Sequence, residues 1–201
     1  MVEWAVWKHA VYIFGAVGVY GGLHSALASL KVKAWVARVF GKSVARWYRL
    51  GYNALFTALL FPLLAVPAAL PDWVLYTLRP PWRYGAVALQ VGGLWLAVDA
   101  ARRTDLWVFL GLKPEPQEAE VLVVRGAYRW VRHPMYTGSL LFLWAMPVMT
   151  LNSALFYAAL TVYIVLGAHW EEQKLLAIYG ASYARYRQQV PMLIPRLWRK
   201  A

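Results

Sequence analysis

Five apolar stretches, most of them near the roughly 20 residues that a bilayer crossing needs, divide this chain and limit what it can become. They run about Ala10–Leu30, Leu50–Leu70, Tyr84–Ala100, Ser139–Thr150 and Ser153–Trp170. The fourth is short, and with only "TLNS" at its junction with the fifth the pair reads as a tight helical hairpin. Composition agrees: 61% of the 201 residues are hydrophobic, 12 are Trp and only 15% are charged, where a soluble domain is nearer a quarter. The length suits one membrane domain over residues 1–201, with a three-span part (1–112) and a second part (113–201) holding the hairpin and the C-terminal tail. The expected fold is therefore an all-α, polytopic membrane helix bundle of about five spans, with no Rossmann domain.

The net charge of +12 would suggest nucleic acid in a soluble protein. Here the positive residues crowd between apolar segments, which points to lipid headgroups and topology instead of nucleic acid. Lys31, Lys33, Arg38, Lys42, Arg46 and Arg49 follow the first span. Arg102, Arg103, Lys113, Arg125, Arg129 and Arg132 follow the third, and the tail carries Lys174, Arg185, Arg187, Arg196, Arg199 and Lys200. The loop after the second span holds only Arg79 and Arg83. The positive-inside rule then sets the N-terminus outside and the C-terminus in the cytoplasm. The acidic "MVEW" start lacks a small-residue cleavage site after a short apolar core, so the first span reads as retained. "KPEPQEAE" (113–120) reads as a linker leading into "VLVVRGAY", a short extended piece.

The absence of cysteine removes disulfides, thiol nucleophiles and Cys-ligated metals. Histidines at 9, 24, 133 and 169 do not have zinc-site spacing, no serine sits in a nucleophile elbow, and neither GxGxxG nor a Walker loop occurs. What remains is polar groups at membrane depth, which are costly and mark function by default. Asp99, followed by Arg102 and Arg103, reads as an ion pair at a helix end. His24, followed by Ser25, suits an interhelical hydrogen bond or a direct role equally. His169 reads as interfacial beside Trp170. Glu171 and Glu172 leave an apolar helix about 100° apart, so one can face the bundle and the other water or a cation.

Two segments carry more. In "GAYRWVRHPMYTG" the pattern lies in Gly126, Tyr128, Arg132, His133, Pro134, Tyr136 and Gly138. In "EEQKLLAIYGASYARYRQQVPMLIP" it lies in Glu171, Glu172, Leu175, Tyr179, Gly180, Tyr183, Tyr186, Val190, Pro191, Ile194 and Pro195. Together they resemble the isoprenylcysteine carboxyl methyltransferase and phospholipid methyltransferase superfamily of integral membrane enzymes. "HSALASLKVKAW", "RWYRLGYN" and "TDLWVFLGL" are similar to the nurim-like branch that includes methanethiol S-methyltransferases.

The resemblance implies methyl transfer dependent on S-adenosylmethionine, leaving S-adenosylhomocysteine, at the cytoplasmic membrane face. The acceptor is a small or lipophilic molecule, most simply a thiol. Alternatives are an isoprenoid or prenylcysteine carboxylate, a phospholipid amine, or a non-catalytic nurim-like scaffold. Carried over by position, the cofactor pocket is built from Val121, Leu122 and Val123, then Tyr128, His133, Pro134, Met135, Tyr136 and Gly138, then Glu171 and Tyr183; no metal is implied. An arginine that in prenylcysteine enzymes holds the substrate carboxylate is replaced by Gly167, which favours a smaller or neutral acceptor. From the chemistry, Arg132 or His133 suits the cofactor carboxylate, Glu171 its ammonium or ribose, and the tyrosines its cationic sulfur, a contact worth about 0.5–2 kcal/mol. A thiol acceptor, with a pKa near about 8.5, must lose its proton. Arg132 is the expected electrostatic helper, and His24 or Glu172 the proton acceptor.

Overall fold

The computed structural model describes residues 2–113 and 121–196. Most of the expected linker, Arg199 and Lys200 lie outside the described residues. Helices α1 (Val2–Leu27), α2 (Leu30–Ala69), α3 (Trp82–Arg103), α4 (Leu106–Leu110), α5 (Pro134–Trp144), α6 (Leu151–Tyr179) and α7 (Ala181–Gln189) are joined by strands β1 (Val74–Thr77) and β2 (Val148–Thr150) and by a 3-10 turn over Gly126–Arg129. Ser29 caps α2 by accepting from the Val32 amide, and Gly41 interrupts that helix at φ 82°.

Among the described residues four helical stretches are long and apolar enough to cross a membrane: Val6–Leu27, Trp47–Ala69, Trp82–Arg103 and Leu151–Tyr179. They make this an integral membrane protein, and large side chains such as Trp7, Phe61 and Trp95 stay exposed on their outer faces. The expected fourth span, Ser139–Thr150, is different. α5 has 11 residues, so it is about 16 Å long, half of a hydrocarbon core of about 30 Å. Pro147 disfavours helix for the residue before it, and Val148–Thr150 then pair antiparallel with β1. The last apolar segment runs longer than expected, so Glu171 and Glu172 lie within α6, two turns before its end.

Two compact units form. The first comprises residues 1–77, 107–115 and 148–163. Its core joins Ile13 and Val17 of α1, Leu63 of α2, and Phe156 and Ala159 of α6. One end is tied by Asn152, 1% exposed. Its amide nitrogen donates to the carbonyls of Pro67, Leu70 and Pro71 at 3.1–3.2 Å, satisfying orphan acceptors where α2 ends. This orientation leaves its oxygen to accept from His9 Nδ1 at 2.9 Å, while its backbone amide donates to Asp72.

The second unit comprises residues 78–106, 116–147 and 164–201. α3 and α5 pack closely because glycines meet: a Cβ on Gly93 would lie 2.6 Å from the Gly138 carbonyl oxygen. Gln90 adds a bond to the Phe142 carbonyl at 3.2 Å. Asp99 pairs with Arg103 one turn on, at 2.7 and 3.0 Å, as its sequence context suggests.

Replacing Asn152 with Ala orphans three carbonyls and a buried imidazole. We expect a loss of about 2–4 kcal/mol, read as a lower thermal midpoint in detergent. Asn152→Asp, which keeps an acceptor for His9 but no donors, is expected to lose most of the same stability.

Candidate active site

The segment Val131–Thr137 holds both motifs together. Pro134 occupies the first position of α5, where its missing N–H costs nothing, and its buried ring fixes the turn. Upstream, the amides of Arg132 and His133 donate to the carbonyls of Pro191 and Met192 at 2.9 and 3.1 Å. Thr137 Oγ1 donates to the Leu193 carbonyl at 2.7 Å. Residues 190–193, just beyond α7, are therefore fastened along the start of α5.

Arg132 lies at the centre. Its Nε and Nη2 meet Glu172 Oε1 at 2.6 and 2.5 Å, with side chains 8% and 5% exposed. Its Nη1 donates to the carbonyls of Arg187 and Val190. Arg187 Nε stands 3.6 Å from the second Glu172 oxygen. The buried His133 ring sits between two carboxylates, Nδ1 at 3.6 Å from Glu171 and Nε2 at 3.5 Å from Glu172. It stacks on Tyr136 at 5.4 Å, and Tyr136 donates its hydroxyl to Glu171 at 2.9 Å. Glu172 is thus an internal ion-pair partner, while Glu171 remains 44% exposed and available to a ligand.

Two buried polar atoms lack hydrogen-bond partners among the described residues: His133 Nε2 and the Tyr183 hydroxyl. Such orphans carry a desolvation cost and mark positions where a water or ligand atom belongs. Burial, and then the charge of Glu172, pushes the Tyr183 phenol up to about 12. Burial, and then Glu171, does the same to Tyr128. Tyr186, whose hydroxyl donates to the Tyr128 carbonyl at 2.6 Å, is also raised by burial. These phenols stay neutral at physiological pH and serve as donors and aromatic faces.

A groove of about 870 Å³ opens between the Val121–Val124 segment and the end of α6 with α7. Leu122, Tyr179 and Tyr186 line it together with Arg129, Ser182 and Arg185. Val121–Val124 belongs to no helix or strand ladder.

Arg132, His133, Pro134, Met135, Tyr136, Gly138, Glu171, Glu172, Tyr128, Tyr183 and Val121–Val123 all belong to the second unit. Gly138 spends its missing side chain on the approach to α3. His24 belongs to the first unit: its Nδ1 lies 2.7 Å from the Tyr163 hydroxyl, its carbonyl accepts from Tyr52, and its ring meets Phe56 edge-on at 4.8 Å. Thr137 and Arg187 were not singled out from sequence. The signal for Thr137 was present, a hydroxyl one turn after His133 inside the first motif, but its partner is a backbone carbonyl that no residue pattern names.

A family model described as phospholipid methyltransferase matches residues 82–182. The chain belongs to the phospholipid methyltransferase family. It is 30% identical over 192 residues to a methanethiol S-methyltransferase of Crocosphaera subtropica, covering 93% of this chain and 75% of that protein. To the methanethiol S-methyltransferase of Mycobacterium tuberculosis it is 31% identical, covering 89% and 75%. To a protein-S-isoprenylcysteine O-methyltransferase of Schizosaccharomyces pombe it is 36% identical over 80 residues, 37% of this chain and 33% of that one. No solved structure matches. The family membership makes the protein an enzyme of the methyltransferase type, and Arg132 and Glu172, where the two motifs meet, lie within the matched range.

Removing one member of the buried pair leaves the other charge uncompensated. Glu172→Gln and Arg132→Met are each expected to destabilise the methyltransferase by about 3–5 kcal/mol. The double variant is expected to lose less than the sum, a coupling that thermal unfolding of all four proteins measures.

Proposed function

We propose that this methyltransferase moves a methyl group from S-adenosylmethionine to a small or lipophilic thiol at the cytoplasmic face of the membrane. The observation that carries the thiol is the reach of the similarity. Four relatives named methanethiol S-methyltransferase align with 87–94% of the chain and two more match 36–37% of it at 44–46% identity, whereas two isoprenylcysteine enzymes align with 37–40% at 36% identity. Gly167, standing where a carboxylate-holding arginine would be, agrees.

The donor set suits the cofactor. The half-exposed carboxylate of Glu171, backed by the Tyr136 hydroxyl, answers an ammonium or a ribose. The groove beside Leu122 and Tyr179 offers an aliphatic and aromatic wall for the apolar part of the donor. Bound there, the cofactor supplies an activated methyl on a sulfonium. The chain's own part is to position, to exclude water and to take a proton. Arg132 and Glu172 act as a strut that keeps His133 and Tyr136 in place.

The sidedness has independent support. Asn152 joins His9 near the start of α1 to the end of α2 and the start of α6, so these three ends share one side of the first unit. The basic segment from Lys31 lies at the other end of α1, which favours an N-terminus outside and the charged segments in the cytoplasm.

The test is calorimetric titration of S-adenosylhomocysteine into the detergent-purified protein, with methanethiol and a prenylcysteine compared as acceptors. Binding to the parent, its loss in Glu171→Ala without a change in unfolding temperature, and methylation of the thiol are expected. Methylation of the prenylcysteine alone would move the assignment to a carboxylate acceptor. No binding to the folded parent would remove it.

A further inference from the structure

If the methyl donor is bound as proposed, its α-carboxylate needs a cation, and sequence chemistry nominates Arg132 or His133. Neither suits an anion. The Arg132 guanidinium is 8% exposed and committed to Glu172 and two carbonyls. His133 stands between two carboxylates, an arrangement that repels an anion. The anion must be received elsewhere.

α7 offers a place. Tyr183, Tyr186 and Val190 form its buried stripe. Ser182, Arg185 and Gln189, with the same three- and four-residue spacing, form the neighbouring stripe and line the groove. Arg129, from the 3-10 turn, lines it too. Neither Arg129 nor Arg185 has a hydrogen-bond or ion-pair partner among the described residues, in contrast to Arg132, Arg103 and Arg187. Two arginines with open donors, flanked by the polar ends of Ser182 and Gln189 and facing Leu122 and Val124, suit a molecule with one anionic end and an apolar body.

We propose that Arg129 and Arg185 receive the α-carboxylate of the methyl donor, and that Glu171 faces its ribose. The spacing along α6 fits. Ile178, which lines the groove, follows Glu171 by seven residues on the same helix face, an axial separation of about 10 Å that extended cofactor and arginine side chain together can span. A carboxylate aimed at a ribose diol is an established pairing.

The test compares two ligands that differ at the end in question: S-adenosylhomocysteine, and 5′-methylthioadenosine, which keeps the adenosyl thioether and lacks the amino acid. Each is titrated by calorimetry into the parent, Arg185→Gln and Arg129→Gln, with thermal unfolding as the folding control. Arg185→Gln is expected to weaken S-adenosylhomocysteine by about 10- to 100-fold and leave methylthioadenosine unchanged. Arg185→Lys is expected to recover part of the loss. Equal weakening of both ligands, or no change for S-adenosylhomocysteine, overturns the assignment. A variant that keeps S-adenosylhomocysteine but loses affinity for phosphatidylglycerol in nanodiscs overturns it in favour of a lipid-phosphate site. Failure of the parent to bind either ligand removes the methyl-donor reading as well.

Discussion

The contact between Arg132 and Glu172 is the constraint on which the second unit depends. Each charge is nearly out of water, where an unpaired ion would cost several kcal/mol. The pair is tolerated because the remaining donors of the guanidinium are also used, on the carbonyls of Arg187 and Val190. One side chain therefore fixes three things: the depth of α6, the exit of α7 and the entry into α5. His133 and Tyr136 follow from it, since both hang from the turn that Arg132 and Pro134 define.

A bilayer sets different terms from water. Apolar side chains facing lipid gain little by being buried, so packing falls to small residues and to hydrogen bonds. Both occur here. Gly93 and Gly138 bring α3 and α5 to backbone contact, and Asn152 gathers the loose carbonyls at the end of α2.

The sequence made the bundle legible because long apolar runs have few alternatives, and it made the family legible because the two motifs are specific. The helix over 153–170 and the Asp99 pairing with arginine followed from pattern alone. The span expected at 139–150 did not, because hydropathy registers the apolar character of Ser139–Trp144 and Val148–Thr150 alike and is blind to Pro147 between them. Arg132 and His133 were recognised as charges suited to a carboxylate. Their neighbours in space, Glu172 forty residues on and the carbonyls of 187 to 193, turn them inward, and main-chain acceptors leave no trace in residue identity. For the same reason Thr137 passed unnoticed.

The fastening of residues 190–193 to the start of α5 has a consequence for biogenesis. Arg132, His133 and Thr137 find their acceptors on carbonyls made some 55 to 60 residues later. During synthesis, all four spanning helices enter the bilayer while those donors have only water and one another. The candidate site closes last, after the hydrophobic scaffold is complete. A nascent chain halted between Tyr179 and Val190 has all four spanning segments and lacks the carbonyls that complete the candidate site.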